Sequence, residues 1–282
     1  MHFGERNLFN SILVLTAITL ASCSFAPDAA FTDRLSARWH ETEQFLAQGD
    51  IDGSLQQVEV LLAEDPQRAK AAAWKALLLA GKARGFFELA EAYESGAREN
   101  HAQVSAFQRA SSTYRSRSRA ASLALAEVAT AAGEYFDRVD TIQLDFPVPP
   151  GSISPSPIVR SLEMGRWSPD SQLAAAEDYT IRRAVVLTVC ESSRGARDLE
   201  TAAEIGTHVP AISRPRLLAT VGKVLYQQAD LFAKTRLNDP GKRELLLDLS
   251  KELLETSLLY QERQKASLQL WESELQNRRS LP

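Results

Sequence analysis

Proline placement constrains this chain most. Six of its twelve prolines fall between Pro147 and Pro169, within DFPVPPGSISPSPIVRSLEMGRWSPDS. A proline inside a helix removes a backbone donor and clashes with the carbonyl one turn back, so no helix can run through such a stretch. Residues 145–168 therefore read as a long extended connection. The flanking chain is free to coil, and its Ala, Leu, Glu, Gln and Arg are helix formers with few β-branched runs to compete. The expectation is an all-α fold in two helical blocks, residues 33–144 and 169–282. The connection exceeds an ordinary loop. Its apolar Ile153, Ile158, Val159, Leu162, Met164 and Trp167 suit a strap lying on the helices better than a mobile lid.

Glycine and capping residues divide the blocks further. Leu35–Gln48 and Ile51–Glu64 read as two helices broken at Gly49-Asp50, with Asp65-Pro66 opening a third at its N-cap and first turn. A second hairpin is expected from helices Ala69–Ala80 and Phe86–Ser95, with Gly81–Gly85 as its turn. A long helix follows from Ala102 to Ala132, and Glu134–Leu144 leads into the connection. In the second block Ser168-Pro169-Asp170 launches Asp170–Ser192. Gly195 and Gly206 bracket Ala196–Ile205, and Pro210 and Pro215 introduce Arg216–Leu237. Asp239-Pro240 caps Lys242–Arg279. In that last helix Leu246, Leu249, Leu253, Tyr260, Leu268, Trp271 and Leu275 recur mostly at three- and four-residue spacing. The heptad breaks near Ser257 and Gln264, which favours packing on earlier helices over a coiled-coil seam.

The segment ARWHETEQFLAQGDIDGSLQQVEVLLAEDP resembles a tetratricopeptide repeat, a 34-residue helical hairpin. Phe45 falls on the aromatic position, Gly49 on the turn glycine, Ser54 on a usual alanine site and Pro66 on the closing proline. Trp39 is one residue late for the early tryptophan, and Thr42 replaces a glycine. The resemblance implies a TPR-like α-solenoid of stacked hairpins, with Phe45 at the helix–helix contact and Gly49 in a left-handed turn.

The first residues read as an export address. Arg6 and the α-amino group precede an apolar run from Ile12 to Leu20, too short for the roughly twenty residues that span a bilayer. Leu20-Ala21-Ser22-Cys23 follows and resembles the bacterial lipobox. The resemblance implies that residues 1–22 are a lipoprotein signal peptide and that Cys23 becomes an acylated N-terminus. Residues 23–32 would be a lipidated tether, and Ser24 matches the outer-membrane sorting pattern. Several acyl chains on one residue anchor durably, since each buried CH₂ adds about 0.8 kcal/mol.

Little in the sequence points to catalysis. Acids number 36 against 32 Lys and Arg, giving a formal charge of −4, which lacks the electrostatic footprint of nucleic-acid binding. The sequence has no metalloprotease, phosphate-loop, dinucleotide or nucleophile-elbow motif. His40, His101 and His208 are scattered, so no metal site or cofactor is expected. Cys190, amid Val185, Val186, Leu187 and Val189, reads as an inert core thiol. Glu41, Glu43, Glu64, Glu88, Glu91 and Glu94 read as solvated faces. The unusual charge feature is Arg109, Arg115, Arg117 and Arg119. Arg115 and Arg119 share a helical face four residues apart. They suit either an anionic ligand or, the favoured reading, acids of neighbouring helices.

The expected function is that of a non-enzymatic, lipid-anchored, periplasm-facing scaffold or adaptor in the bacterial envelope, binding a protein partner. The rival is a small-molecule-binding or transporter-accessory lipoprotein with Arg115 or Arg119 at a pocket mouth. Replacing Cys23 by serine is expected to abolish radiolabelled fatty-acid incorporation and to leave precursor uncleaved on gels; undiminished labelling would refute the anchor.

Overall fold

The computed structural model describes residues 29–64, 68–137, 139–148, 157–166, 171–194, 208–234 and 236–279. Helix dominates, as composition leads one to expect. In chain order the elements are α1 (Ala29–Gln48), α2 (Ile51–Glu64), α3 (Arg68–Glu99), α4 (Val104–Thr130), α5 (Ala132–Phe136), β1 (Thr141–Pro147), α6 (Pro157–Glu163), α7 (Ser171–Arg194), β2 (His208–Ser213), α8 (Arg214–Ala229) and α9 (Pro240–Arg279). A 3₁₀ turn, Asp230–Phe232, follows α8. Among the described residues no helix is long and apolar enough to cross a membrane.

Helix α3 is the axis of the molecule. Burial surrounds it, from Ala71 and Trp74 through Leu77, Leu78 and Phe86 to Tyr93 and Gly96. A helix with buried residues on every side must be enclosed by other elements, and α3 touches α2, α4, α5, α6, α7, α8 and β1. The expected second hairpin is therefore replaced by one continuous helix through Gly81–Gly85. Those glycines serve approach. A Cβ on Gly81 would lie 2.3 Å from the Val185 Cα, and one on Gly85 2.8 Å from the Ile181 Cα. The backbone of α7 occupies the space a side chain would fill, so the two residues that sequence reads as a turn are a packing groove.

Against another face of α3 lies α4. Phe107, Ser111, Tyr114, Ser118, Ala121, Ser122 and Leu125 turn inward, a three- and four-residue spacing that makes one seam. The serines close onto backbone carbonyls: Ser111 donates to Ala90 O at 2.9 Å and Ser118 to Ala83 O at 2.8 Å. The Gln228 Oε1 of α8 lies 2.7 Å from the same Ser118 hydroxyl and shares its one proton with Ala83 O. Small hydroxyls let the helices approach while each of these serines finds an acceptor.

The α1–α2 hairpin breaks where the sequence places its turn, but α1 begins at Ala29 and not at Leu35, so the last residues of the expected tether are helical. Gly49 N–H donates to Leu46 O at 3.0 Å and Asp50 N–H to Phe45 O at 2.8 Å, with Gly49 at φ 85°. This closes the α1 C-terminus as a Schellman turn, which only glycine adopts without strain. Phe45 meets α2 edge-on over Gly53, 2.8 Å from where a Cβ would stand. It is only half-buried, however. The neighbouring Leu46 is the fully buried side chain of that turn.

Two strands depart from the all-helical expectation. β1 and β2 pair antiparallel, with Ile142 opposite Ile212 and Phe146 opposite Val209. A bulge lies between Gln143 and Phe146, and Asp145 adopts φ 47° there, as a bulge residue can. Indole N–H of Trp74 donates to Leu144 O at 2.7 Å, and Phe146 and Trp39 pack on the Trp74 ring at 4.6 and 5.6 Å. The chain expected to be extended from 145 to 168 thus begins as strand and continues as α6, with Pro157 in its first turn. Leu162 of α6 is fully buried, in keeping with a strap, and Met164 is exposed. Ile153 and Trp167 lie outside the described residues, as do Asp65-Pro66, Ser168-Pro169-Asp170, Ala196–Ile205 and Cys23.

The remaining helix ends shift slightly from expectation. α4 stops at Thr130, and Gly133 falls inside α5. α8 ends at Ala229, short of Leu237, because the 3₁₀ turn and Asn238 at φ 55° reverse the chain. Asp239 caps α9 as expected, accepting from Lys242 N–H at 3.2 Å. Hydrogen bonds from Lys242 hold its carboxyl below the ordinary range. Cys190 is buried, as its apolar neighbours imply. Helices from both sides of the proline-rich stretch share one continuous core.

Gly81→Ala is expected to lower stability by roughly 1–3 kcal/mol, the range for forcing extra volume into a packed core. Gly133→Ala, where an added Cβ meets nothing nearer than Asp137 Oδ2 at 3.6 Å, should be neutral or stabilise by up to about 1 kcal/mol. Urea midpoints compare the two directly; equal losses would contradict the groove.

Candidate functional site

The turn after α1, the start of α2, the middle of α3 and the first half of α7 meet at one corner. They enclose an open cleft of about 320 Å³ lined by Gln48, Asp50, Asp52, Lys82, Phe86, Asp178 and Ile181, among others. Each polar group arrives for a local reason. Asp50 caps α2, its Oδ1 accepting from Gly53 N–H at 2.8 Å, which satisfies a first-turn donor. Asp52 stands in that first turn and takes the ammonium of Lys82. Phe86 is one turn on from Lys82 and lies in the buried face of α3.

Two arginines border this corner. The Arg117 guanidinium, from α4, lies 6.0 Å from the Phe86 ring and 5.4 Å from the Tyr114 ring. Arg182, from α7, lies 5.6 Å from the Tyr179 ring. Its Nη1 is 3.0 Å from the position of a Cβ on Gly49. Glycine at 49 thus serves twice, supplying the positive φ and the floor across which Arg182 lies. The Arg182 Nε is buried and finds no hydrogen-bond partner among the described residues.

Behind Arg117 sits a buried polar layer. Tyr93 and Tyr114 stack with centroids 5.7 Å apart and planes 6° from parallel. Tyr93 donates to Glu177 Oε1, and the Tyr114 hydroxyl bonds the same carboxylate. Burial first, and then the hydrogen bond to this anion, push both phenols far above their ordinary range. They remain neutral donors, and the carboxylate of α7 is pinned to α3 and α4.

The arginine run takes up other positions. Arg115 reaches back to α3, pairing with Glu94 and, at 3.5 Å, with Glu91. Arg236, in the connection to α9, meets the same Glu91 at 3.0 Å and lies over Phe87. Burial, then the nearby Arg236 charge, lowers the Arg115 pKa from its usual value. Its charge joins three elements and is committed to acids of a neighbouring helix. Arg119, one turn further along α4, is half-buried and makes no ion pair among the described residues. None of Arg115, Arg117, Arg119 and Arg182 is among the residues that line the cleft. Reading from sequence named Arg117 in the arginine run but gave it no role beside Arg115 and Arg119. It missed Lys82, Phe86, Asp178 and Arg182. The available signal was the inward spacing of Ser111, Ser118 and Ser122, which fixes the buried face of α4.

Since both phenols titrate higher in the folded chain, the folded state holds protons that the unfolded chain releases. The stability they support is intact below about pH 10, the unfolded tyrosine value, and is lost as pH rises beyond it. Unfolding midpoints should therefore fall from about pH 10 upward, and the double variant Y93F/Y114F should fall less steeply. Parallel declines would contradict the pinned layer. Compared with known proteins, no family model matches the chain, and no curated protein or solved structure is significantly similar to it.

Proposed function

We propose that this chain is a lipid-anchored adaptor facing the periplasm of a bacterial cell, attached through Cys23, most consistently at the outer membrane. In this reading its TPR-like stacked hairpins hold an envelope protein partner. It needs no cofactor and performs no catalysis. The LASC box behind a short apolar run supports the anchor. The α1–α2 hairpin docked on α3 supports the stacked-helix reading.

The observation that carries the binding role is the corner cleft. It is open, and polar side chains from four helices converge on it. A partner segment laid there can find donors and acceptors without entering a closed chamber. The rival small-molecule reading calls for an enclosed apolar pocket with Arg115 or Arg119 at its mouth. The apolar gap lined by Ala76, Val128, Phe136, Leu217, Val221 and Leu253 amounts to about 10 Å³, no more than a single water needs. Arg115 is already engaged with Glu91 and Glu94.

Chemical crosslinking in intact cells, followed by mass spectrometry of co-purified proteins, tests the adaptor. A reproducible envelope partner whose crosslinks reach Lys82, across from the α1–α2 turn, is the expected result. Copurification of a small molecule with no crosslinked protein would favour the rival.

A further inference from the structure

We propose that the groove between the end of α4, the short α5 and the middle of α9 receives a lysine side chain of the partner. The proposal rests on the adaptor reading above and adds to it a second point of contact and the chemistry of the side chain held there.

The groove measures about 210 Å³. Its floor is apolar, made by Ala129 of α4, Ala132 of α5, Leu218 of α8 and Leu253 of α9. The same side chains line the apolar gap of about 10 Å³ described above, which lies beneath them. Gly133 keeps the entrance open, since a Cβ there would meet nothing nearer than Asp137 Oδ2 at 3.6 Å. The cation of the lining, Arg214, is committed. Its Nη1 donates to Asp137 O at 2.8 Å and its Nη2 to Asp137 Oδ1 at 3.1 Å, and the guanidinium lies 5.5 Å from the Tyr260 ring. The acceptors of the lining are not committed. Among the described residues the Glu252 carboxylate and the Thr256 hydroxyl make no hydrogen bond or ion pair, and Asp137 Oδ2 accepts none. Thr130, across the groove, differs in turning its hydroxyl onto Ala126 O at 2.9 Å, as a helical threonine can. Glu252 and Thr256 stand four residues apart on α9 and so share one face. Ala129 and Thr130 end α4, whose last turn carries no basic residue, so its terminal carbonyls add partial negative charge to the groove.

Free acceptors above an apolar floor, with two acids against one base, are the complement of a lysine side chain. Its ammonium carries three donors and no acceptor, which Glu252, Thr256 and Asp137 Oδ2 can meet. Its alkyl stem covers apolar surface while the charged head stays at the rim. A guanidinium suits the groove less. Its flat fork calls for two acceptors in one plane, as a single carboxylate supplies them, whereas these acceptors come from α9 and from the end of α5. An oxyanion would face Glu252 and Asp137 with like charge. A groove of this size takes one long side chain, so the ligand is a single residue presented on a partner's surface.

The test uses the full chain in detergent and the peptide Gly-Ala-Lys-Ala-Gly, labelled with fluorescein at its N-terminus and amidated at its C-terminus. Comparators carry acetyllysine or arginine at the central position. Fluorescence anisotropy should show saturable binding of the lysine peptide, about tenfold tighter than the acetyllysine peptide and about threefold tighter than the arginine peptide. E252Q should weaken the lysine peptide about five- to tenfold and T256V about two- to threefold, with the acetyllysine peptide unchanged. G133L, which fills the groove and removes no charge, should abolish binding. E244Q, at an exposed glutamate of α9 outside the groove, should change nothing. Equal binding of the lysine and acetyllysine peptides would overturn the proposal, and so would unchanged binding in E252Q or in folded G133L. An arginine peptide that binds as tightly as the lysine peptide would overturn the ammonium assignment. Butylammonium chloride that matches the lysine peptide in affinity would make this a site for free amines, overturning the assignment to a partner's side chain. Circular dichroism checks the variants. If G133L loses helix signal, E252Q, whose side chain is exposed, decides with T256V. A crosslinked partner with no binding of the lysine peptide removes this groove and leaves the adaptor standing. Binding of the lysine peptide with no captured partner does the reverse.

Discussion

Everything in this molecule is arranged around a helix that has almost no surface of its own. α3 is lined with alanine and carries glycine where α7 crosses it, so there its neighbour presses against its backbone and not against a layer of long side chains. At Gly81 and Gly85 the approach is so close that the α7 backbone fills the place of a Cβ. Dispersion attraction falls off steeply with distance, so close seating gains contacts along the whole crossing. It also makes the crossing unforgiving, because nothing flexible stands between the two backbones. The placement of α7 then fixes where Asp178, Ile181 and Arg182 stand relative to the α1–α2 turn. The corner cleft is set by the glycines of α3, although neither of those glycines lines it.

The polar groups follow the same logic. Where helices pack through small residues, the hydroxyls of Ser111 and Ser118 and the amide of Gln228 can meet carbonyls or one another directly. On the same seam, between Ser111 and Ser118, Tyr114 stacks on Tyr93 and the two share one carboxylate. The arginines divide by their distance from acids. Arg115 falls beside Glu91 and Glu94 and becomes structural. Arg117, two residues on, points to a different face of α4 and finds rings in place of carboxylates. One helical turn of sequence therefore holds both a tie rod and a free donor.

Much of the helical architecture could be read from the chain, because its signals are local. The Gly49-Asp50 break, the Asp239-Pro240 cap and the burial of Cys190 each depend on neighbours within a few residues. The glycines at 81 and 85 were misread because a glycine means a turn or a close approach depending on what lies opposite, and what lies opposite is Val185 and Ile181. The strands escaped for a similar reason. Ile142, Leu144 and Phe146 alternate, but Pro147 and Pro210 obscure the pattern and the partner strand lies far along the chain. The site was legible only in part. Arg115 and Arg119 stood out by spacing, whereas Arg182 acquires its position from the α3–α7 crossing, which no local pattern encodes.

The β1–β2 ribbon has a consequence for the order of assembly. The α3–α4 hairpin joins segments that adjoin in sequence, so its closure removes little chain entropy. The ribbon joins Thr141 to Ser213 with α6 and α7 strung between them, a long loop whose ends must be found by search. Trp74 and Phe146 draw β1 onto α3, giving the first strand a firm seat on which β2 can register. Closing the ribbon therefore costs more chain entropy than closing the α3–α4 contact, and two short strands act as the clasp that fastens the chain after α5 to the chain entering α8.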